Sequence, residues 1–517
     1  MSIQGKPGRL SRKAFLSIGG MSAAALMLGN GPLQSLGARA ALGQGMPSVK
    51  GYGPLVLKTD GENSLNLPAE FNFQTISRQG DPQRDGNPTP GIFDAMGAYP
   101  DTGGGVNPTG NTTVLIRNHE NRRRAGEIPV TVPPQFRYDE DPTYIAGCTK
   151  LVIERNKAGK NADGQQLYTY EVTDSFNILG GTDTNCAGGE TPFKKWITCE
   201  EVVNRSATGK KHGYDFEIDA MSDGPVKAVP ILAAGRFVHE ATAWRSGILY
   251  QTEDRRVSPD PIRGTIGSSL YRYTPDQRVG QSGNLAETTG PLEALAIEGQ
   301  PHFNADAVVT VGVPFPVEWV PVPEPDHDDD TDNRRDRVPN FTPTRIQAQD
   351  NGAAYFDRQE GIWVSGIGQG AKIYFDCTEG GPQNLGQVWE YDPGRETLTL
   401  IYISTDRNQL ENPDNVTIVP QTQDIFLCED GPGEQFIRGV TQSGEIYNFA
   451  QTVSNDTEFC GACFDPDGQT LYVNQQGERG SGLEGPPGGN AVTYAIYGPF
   501  EKREGNRSNN FGNGPSA

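Results

Sequence analysis

The chain has 517 residues, a formal net charge of −21, and high numbers of glycine (65) and proline (39) residues. The negative charge excludes nucleic acid as a partner, because a phosphate backbone requires a positive binding surface. The hydrophobic content is only 35%, and sustained helical periodicity is confined to the N-terminus, which excludes a mainly helical fold and predicts many short strands with polar loops.

Residues 1–40 have the composition of an export signal. Basic residues precede an apolar stretch at 15–28, and Ala38-Arg39-Ala40 is an A-x-A-like cleavage site. The segment Ser11-Arg-Lys-Ala-Phe-Leu16 resembles the twin-arginine export motif, with Lys13 in place of the second arginine. The alternative is a retained membrane anchor, for which the apolar run is short. We predict a signal peptide that the export machinery recognises, and a periplasmic or secreted protein.

A pattern of an apolar β-type run that ends in acidic or amide residues recurs along the rest of the chain. Four clear copies are Val114–Glu120, Trp196–Glu201, Ile248–Asp254 and Ile425–Asp430, and two weaker copies are Ile362–Gln369 and Leu471–Gln476. Repeated around a closed structure, such strand ends gather hard oxygen ligands that suit Ca²⁺ and similar cations. Because strand neighbours point to opposite faces, each acidic pair is expected to supply one inward ligand.

A second repeated element consists of two aromatic residues close together on a predicted strand. The copies are Tyr168–Tyr170, Tyr214–Phe216, Tyr271–Tyr273, Trp389–Tyr391, Tyr447–Phe449 and Tyr494–Tyr497. Paired strands repeated six times predict an all-β fold, a six-bladed β-propeller with long loop insertions. Seven blades and a β-sandwich are the alternatives. We expect residues 41–517 to form a single β-propeller catalytic domain, with an insertion around 280–345 that contains a Pro-rich and acidic run.

The seven cysteines leave at least one thiol without a disulfide partner. Cys460 and Cys463 have CxxC spacing and form either a local disulfide or plain core. Cys186 follows a different pattern, because it starts a Gly-rich turn and the next strand ends in Glu200 and Glu201. A thiolate among carboxylates favours a transition metal over Ca²⁺ alone. A buried cysteine beside a surface acid pair is the alternative.

Several segments together resemble the PhoX-type alkaline phosphatases. They are Asn118–Glu120, Asn185–Pro192, Thr198–Glu201, Gly235–Glu240, Arg358–Gly361, Pro413–Asn415 and Cys428–Gly431. The resemblance runs from about Leu67 to Tyr497. It implies a six-bladed propeller exported through the twin-arginine route, with a pair of ferric ions, Fe(III), and several Ca²⁺ ions as cofactors. It also implies hydrolysis of phosphate monoesters, and sometimes of diesters.

Carried over by position, the resemblance implies roles for individual residues. The metal ligands would be Cys186, Glu120, Glu200, Glu201, Glu240, Asp254, Glu360, Glu429 and Asp430. Arg358, Cys186 and Glu201 would be catalytic, and Arg358 and Asn118 would bind the substrate. A salt bridge between Arg358 and Glu360 is the simpler reading of that segment. The sequence Asp-Arg-Gln-Glu-Gly around Arg358, where characterised members have an Arg-Pro-Glu form, points to a sister branch with altered substrate preference.

These observations predict an exported metal-dependent phosphatase, a monomer that acts on small-molecule phosphate esters at an iron and calcium cluster in the propeller centre. Two alternatives stay open. One is a calcium-dependent propeller hydrolase such as a lactonase, and the other is a non-catalytic calcium-binding propeller protein.

Overall fold

The structure is a computed structural model, and it describes residues 51–101, 111–124, 126–276, 284–330, 342–366, 370–477 and 490–504. These residues form thirty β-strands, one α-helix and a few short 3₁₀ turns. The all-β prediction is confirmed. The predicted export signal at 1–40 lies outside the described residues. No described helix is long and apolar enough to cross a membrane.

Of three strands near the N-terminus, the second and third pair with strands from late in the chain, and the first pairs with the second. They are β1 (Leu55–Thr59), β2 (Ser64–Pro68) and β3 (Asn72–Arg78). The first complete sheet then contains β4 (Phe93–Pro100), β5 (Thr112–His119), β6 (Ala146–Lys160) and β7 (Gln166–Thr182). The next contains β8 (Asn185–Thr191), β9 (Lys195–Glu200) and β12 (Asp215–Asp219), with a small ribbon of β10 (Asn204–Arg205) and β11 (Lys211–His212) between them in the chain.

A nine-stranded sheet follows, in which two antiparallel groups are joined by one bridging strand. The first group is β13 (His239–Arg245), β14 (Ile248–Glu253), β17 (Tyr271–Tyr273) and β18 (Leu292–Ile297). A ribbon of β15 (Ser258–Asp260) and β16 (Gly264–Ile266) lies between β14 and β17 in the chain. The bridging strand is β19 (Pro314–Pro321), and the helix α1 (Thr344–Asp350) follows it. The second group is β20 (Gln359–Ser365), β21 (Lys372–Cys377), β22 (Gln387–Asp392) and β23 (Thr397–Ile403).

The last two sheets combine strands from both ends of the chain. One is formed by β24 (Pro413–Ile418), β25 (Ile425–Glu429), β26 (Phe436–Val440) and β27 (Ile446–Thr452), with β2 and β1 added at its edge. The other is formed by β28 (Phe459–Phe464), β29 (Thr470–Gln475) and β30 (Val492–Tyr497), with β3 paired to β30. In that pairing Phe73 lies opposite Ile496.

The first strands of these groups contact one another in cyclic order. The order is β4, β8, β13, β20, β24, β28 and back to β4. Strands that line a common axis in this way, with their sheets radiating outward, form a β-propeller. The β-propeller prediction is confirmed by this ring and by the comparisons reported below. The number of six blades stays a prediction, which the six first strands of the ring support.

The repeated aromatic residues pack in the core of these sheets. Trp389 and Tyr391 are fully buried on β22, and Tyr271 and Tyr273 are fully buried on β17. Alternating aromatic residues bury large apolar area on one face of a strand, which is why the pattern marks these strands in the sequence.

Small residues let the first strands approach one another closely. Ala95, Ala187, Ala241 and Gly361 line a narrow cavity of only about 10 Å³ at the axis. A Cβ atom on Gly361 would lie 2.5 Å from the backbone nitrogen of Val416. The absence of a side chain there lets β20 and β24 lie side by side, and so brings the residues that start these strands together.

The segment predicted as an insertion around 280–345 is tied to the propeller. Its strand β18 belongs to the sheet of β13, and β19 bridges two groups. The acidic run is ion-paired: Asp326 and Asp328 lie 3.0 and 2.8 Å from Nζ of Lys211, and Asp330 contacts the buried Arg236 at 2.9 Å. Cation partners from the protein therefore occupy these carboxylates.

All seven cysteines are buried free thiols. The disulfide interpretation of Cys460 and Cys463 is therefore wrong. The alternative that they form plain core is the one that the structure bears out. Their spacing places both on β28, where a bulge separates their pairing positions.

Candidate metal centre

The second residue of a first strand supplies a possible ligand in five of the groups. These residues are Asp94 on β4, Cys186 on β8, Glu240 on β13, Glu360 on β20 and Asp414 on β24. In each case the pairing register shifts immediately after the first residue of the strand, so the second residue lies in a β-bulge. A bulge re-aims a side chain out of the regular ladder. The same irregularity thus directs each of these side chains toward the axis.

In the remaining group, β28 has Cys460 as its second residue, and Glu458 immediately before the strand takes the place of the ligand. The register of β28 also shifts after Cys460. The Sγ of Cys460 instead donates to the backbone carbonyl of Phe93 at 3.1 Å.

A second set of polar residues follows the second strand in five of the six groups. Glu120 follows β5, Glu201 follows β9, Asp254 follows β14 and Asp430 follows β25, with Gln476 in the equivalent place after β29. All five line one cavity of about 530 Å³ together with Cys186, Glu360, Asp414 and Glu458. The recurring strand ends of the sequence therefore do converge, and the residue just beyond each strand is the one that reaches the cavity.

The possible ligand atoms form a chain of overlapping groups, within each of which the atoms lie no more than 4.8 Å apart. The groups are Asp94, Glu120 and Cys186; Cys186, Glu201 and Glu240; Glu240, Glu360 and Asp414; and Asp414, Asp430 and Glu458. The Sγ of Cys186 lies 3.2 Å from Oε1 of Glu240. Two groups combine two carboxylates with the sulfur of Cys186, which suits a thiophilic cation, and two contain three carboxylates, which suits a hard one.

Burial and crowding disfavour the charged forms of these groups. Burial raises the pKa of Glu240 well above its usual range, and the charges of Glu201 and Asp414 raise it further. Burial, followed by the charge of Asp414, does the same to the pKa of Asp94 and of Glu458. Burial raises the pKa of Glu201 to about 7. When it is ionised, the cluster therefore carries more negative charge than the arginine side chains beside it can offset.

Bound cations would supply the missing charge. Oε2 of Glu240 is buried and has no hydrogen-bond partner within the described part of the chain. A carboxylate oxygen in that state costs free energy unless a ligand satisfies it. The donor set and this oxygen together fit a metal cluster. Burial and the charges of Asp94 and Glu240 raise the pKa of the Cys186 thiol, so a cation is required to form the thiolate there.

Arg358 is fixed beside these ligands by carboxylates. Its Nε and Nη2 donate to the two oxygens of Asp254 at 2.8 and 3.0 Å, and Nη2 lies 2.8 Å from Oε1 of Glu360. Arg358 has a φ of 52°, in the left-handed region. Its carbonyl accepts from the backbone nitrogen of Thr378 at 2.8 Å, and this bond helps to hold the unusual conformation.

The predicted salt bridge of Arg358 with Glu360 is therefore present, and it does not occupy the whole guanidinium. Among the described residues, Nη1 makes no hydrogen bond, and it lies 3.7 Å from a carboxylate oxygen of Glu379. Arg358 lines the cavity, so this edge of the guanidinium can meet an anion there.

A second arginine, Arg122, pairs with a different set of the ligand residues. It forms a close ion pair with Glu120 and lies 3.7 Å from Glu201. Gln476 donates from Nε2 to the other oxygen of Glu120 at 2.8 Å. The charges of Glu201 and Cys186 outweigh burial and raise the pKa of Arg122, which therefore stays cationic within the cluster.

Three predicted site residues lie outside this cluster. Asn118 donates from Nδ2 to the backbone carbonyls of Cys186 and Ala187, so it supports the strand of Cys186 and does not line the cavity. Glu200 accepts from Nδ1 of His212 at 2.7 Å and from three backbone nitrogens. Glu429 forms a two-point ion pair with the buried Arg438.

The other predicted ligands are brought together. Cys186, Glu120, Glu201, Glu240, Glu360 and Asp430 belong to the groups above, and Asp254 lines the same cavity. The sequence interpretation missed Asp94, Asp414 and Glu458. Each is a single acidic residue at the start of an apolar strand, as in Phe93-Asp94-Ala95-Met96. An acidic residue within an otherwise buried strand is the signal that would have found them.

Comparisons with known proteins bear on this centre. A family model described as alkaline phosphatase PhoX matches residues 50–478. The structure of Pseudomonas fluorescens PhoX in complex with vanadate, a transition-state analogue, superposes with a TM-score of 0.60 at 17% identity, over 88% of this chain and 98% of that one. A 6-phosphogluconolactonase structure, described as putative, from Bacteroides uniformis gives 0.32 at 12% identity, over 76% and 93% of the two chains. No curated protein sequence matches the chain.

Proposed function

Because the chain belongs to the alkaline phosphatase PhoX family, we propose that it hydrolyses phosphate monoesters, and some diesters, at a cluster of Fe(III) and Ca²⁺ ions in the cavity described above. The family assigns a phosphatase with metal cofactors. The identity of the metals and the range of esters are part of the proposal. The family match favours this function over a lactonase or a non-catalytic calcium-binding protein.

The observation that carries the proposal is the position of Arg358 against the ligand groups. Its Nη2 lies 2.8 Å from Glu360, a member of one group, and Arg358 also lines the cavity. A phosphate that contacts the cluster can therefore also accept hydrogen bonds from a guanidinium. The planar fork of arginine matches phosphate oxygens, and its charge stabilises the negative charge of phosphoryl transfer.

Some residues of the chain would hold cations, and others would orient the ester. Cys186 and the carboxylates of Glu201 and Glu240 would hold iron, and the oxygen-only groups around Asp414 would hold Ca²⁺. Bound cations would supply Lewis acidity and lower the pKa of a bound water. Asp254 orients Arg358.

We further propose export and a monomeric state. The basic and apolar composition of residues 1–40 supports passage through the twin-arginine machinery to the periplasm or the medium, where organic phosphate esters are found. Iron and calcium would then be loaded into a folded chain, consistent with a cluster that is built from strands distant in sequence.

The test is hydrolysis of p-nitrophenyl phosphate by natively exported protein whose iron and calcium contents have been measured. We expect turnover that a chelator abolishes and that added metal restores. Absence of activity on mono- and diesters with the cluster fully loaded would overturn the proposal. Calcium without iron in active protein would overturn the mixed cluster and leave the phosphatase intact.

A further inference from the structure

One backbone hydrogen bond recurs in all six groups of strands and joins the two sets of residues that surround the cavity. In each group, the backbone nitrogen of the residue after the second strand is the donor. The acceptor is the carbonyl that lies two residues before the second residue of the first strand. The donor and acceptor residues are Glu120 and Ile92, Glu201 and Thr184, Asp254 and Val238, Thr378 and Arg358, Asp430 and Asn412, and Gln476 and Glu458, at 2.8 to 3.2 Å. The position of one possible ligand is therefore coupled to that of the other.

Four of these acceptor residues have an unusual backbone conformation. Ile92, Thr184, Arg358 and Asn412 have φ values of 48, 51, 52 and 49°, in the left-handed region. A β-branched residue such as Thr184 is strained in that region, so its turn persists only where surrounding bonds hold it. The contacts around such a turn therefore decide where the ligand two residues later is placed.

The turn at Thr184 connects three possible ligands. It lies two residues before Cys186, and its carbonyl accepts from the backbone nitrogen of Glu201 at 3.0 Å. The backbone nitrogen of Thr184 donates to the carbonyl of Asn121, the neighbour of Glu120, at 3.2 Å. A displacement of this turn would change the spacing of all three residues.

The carboxylate of Glu200 holds this turn in place. Glu200 is fully buried at the end of β9, and its Oε1 accepts from the backbone nitrogen of Asp183 at 3.0 Å. Its Oε2 accepts from the backbone nitrogens of Gly213 and Tyr214 at 2.8 and 3.3 Å. Because Asp183 is the neighbour of Thr184, loss of this carboxylate would release the strained turn.

His212 supplies a positive charge beside Glu200. Its Nδ1 lies 2.7 Å from Oε1 of Glu200, and its Nε2 lies 3.2 Å from Oδ2 of Asp139. Carboxylate oxygens only accept, so both ring nitrogens donate and the ring is an imidazolium. Burial lowers the pKa of His212, but the charge and hydrogen bond of Glu200 outweigh burial and raise that pKa above its usual value. The ring of Tyr144 stacks on the imidazole at 4.1 Å and fixes its plane.

A second group of strands contains the same arrangement without sulfur. Glu429, at the end of β25, accepts from the backbone nitrogen of Glu411 at 2.9 Å and from Nε of the buried Arg438 at 2.7 Å. Glu411 immediately precedes Asn412, the left-handed residue of that group. A buried carboxylate that is paired with a cation and bound to the turn before a first strand thus occurs at two parts of the metal centre.

We propose that Glu200 and His212 are positioning residues of the metal centre. They fix the spacing of Cys186 and Glu201 through the turn at Thr184. Neither belongs to the groups of possible ligands. The spacing that they set selects a thiophilic cation for the part of the cluster that contains sulfur. This inference rests on the proposed metal-dependent function and specifies which residues determine the metal that binds.

The test uses Co²⁺ alone as the probe, because a thiolate ligand gives Co²⁺ a charge-transfer absorption band that carboxylates do not. Chelator-treated exported protein is titrated with Co²⁺ while this band is followed. We expect Glu200→Gln to weaken the binding about tenfold or more, since an amide nitrogen cannot accept a hydrogen bond. His212→Leu should also weaken it. His212→Gln keeps a donor toward Glu200 and should recover part of the loss.

Glu429→Gln is the matched control, because it removes the same kind of buried carboxylate from a group without sulfur. It should leave the Co²⁺ dependence of the thiolate band unchanged. An equal loss in Glu200→Gln and Glu429→Gln would indicate a general loss of stability and overturn the inference, as would an unchanged band in Glu200→Gln.

If Glu200→Gln fails to fold, the two substitutions of His212 decide. Weaker binding in His212→Leu that His212→Gln partly restores supports the inference, and unchanged binding in both overturns it. Absence of the thiolate band in the unmodified protein would also overturn it. A normal band in protein that hydrolyses no phosphate ester would tell against the proposed phosphatase function alone and leave this inference standing.

Discussion

Arg358 and Asp254 form a two-point ion pair, with Nε 2.8 Å from Oδ1 and Nη2 3.0 Å from Oδ2. Burial raises the pKa of Asp254, but the charge and hydrogen bonds of Arg358 outweigh it and hold that pKa below the usual range. Asp254 is thus ionised amid carboxyls whose pKa values are raised. Its carboxylate sets the plane of the guanidinium, so the sequence-based assignment of Asp254 as a metal ligand gains a second role in positioning Arg358.

The geometry of Arg358 predicts that a positive charge at this position is not sufficient for full activity. Arg358→Lys keeps the positive charge but cannot bind Asp254 and a phosphate in one plane. We expect kcat/KM for p-nitrophenyl phosphate to fall about 100-fold, the loss typical of removing one preorganised donor to the transition state. Iron and calcium contents should be unchanged. Arg272→Lys, which alters a single ion pair with Glu293, is the control, and an equal loss there would contradict the role of Arg358.

Substitutions of the adjacent residues Glu429 and Asp430 should have different effects on stability and metal content. Glu429 is paired with the buried Arg438, whereas Asp430 belongs to a ligand group. We expect Glu429→Ala to lower the free energy of unfolding by about 3 kcal/mol, because it leaves a buried guanidinium without its partner. Asp430→Ala should leave metal-free stability nearly unchanged and reduce calcium content. Chemical denaturation and elemental analysis measure the two effects, and the reverse assignment would show that Glu429 is the ligand.

The thiol of Cys186 is predicted to decide whether iron binds. Cys186→Ala removes the sulfur that links two of the ligand groups. We expect loss of most iron and at least a 100-fold loss of activity, with calcium partly retained by the groups that contain oxygen ligands alone. Cys463→Ala removes a buried thiol from the apolar core instead and should keep full metal content. Normal iron in the Cys186 variant would exclude sulfur ligation.

The crowded carboxyls predict a distinctive pH dependence of stability after chelation. Because the folded protein raises the pKa of Glu201 to about 7, it holds a proton more tightly than the unfolded chain does. The resulting stabilisation is complete below the unfolded value of about 4.3 and is lost as pH rises through about 7. Glu240 and Glu458 shift in the same direction. We expect chelator-treated protein to lose at least about 1 kcal/mol between pH 5 and pH 8.

The stability of metal-loaded protein should instead increase between pH 5 and pH 8. Cations bind the deprotonated carboxylates, so their affinity grows as pH rises. Thermal unfolding with and without chelator at both pH values gives the comparison. A chelator effect that is larger at pH 5 than at pH 8 would contradict the proposed origin of the pKa shifts.

The sequence predicted the ligands that follow conspicuous strand ends and three of those at the start of a strand, namely Cys186, Glu240 and Glu360, but it missed Asp94 and Asp414. Glu201 and Asp430 were found because acidic pairs after apolar runs recur. The sequence did not show which residue of each acidic pair is the ligand, because that depends on the residue at which the strand ends. Glu200 and Glu429 still pair within the ladder, and the next residue reaches the axis.

The bulges explain the remaining differences. The weaker copy at Ile362 belongs to a first strand, β20, and the strand equivalent to the clear copies is β21, which ends at Cys377. Glu360 therefore lies at the start of a first strand and not after the end of a second one. It belongs with Asp94 and Asp414 in the set of second residues. A register shift of this kind arises from the packing of neighbouring sheets and leaves no mark in a single sequence.

The closure of the last sheet by β3 joins strands that are distant in the sequence. Asp94 and Glu458 come from opposite ends of the chain, and Asn474 on β29 donates from Nδ2 to the carbonyl of Asp94 at 2.6 Å. The group of Asp94, Glu120 and Cys186 and the group of Asp414, Asp430 and Glu458 lie on either side of this seam, and each is formed by residues of its own side. A chain that stops before β30 offers β3 no partner. A chain that lacks β30 would therefore keep the residues of both groups but lose the pairing that closes the ring beside them.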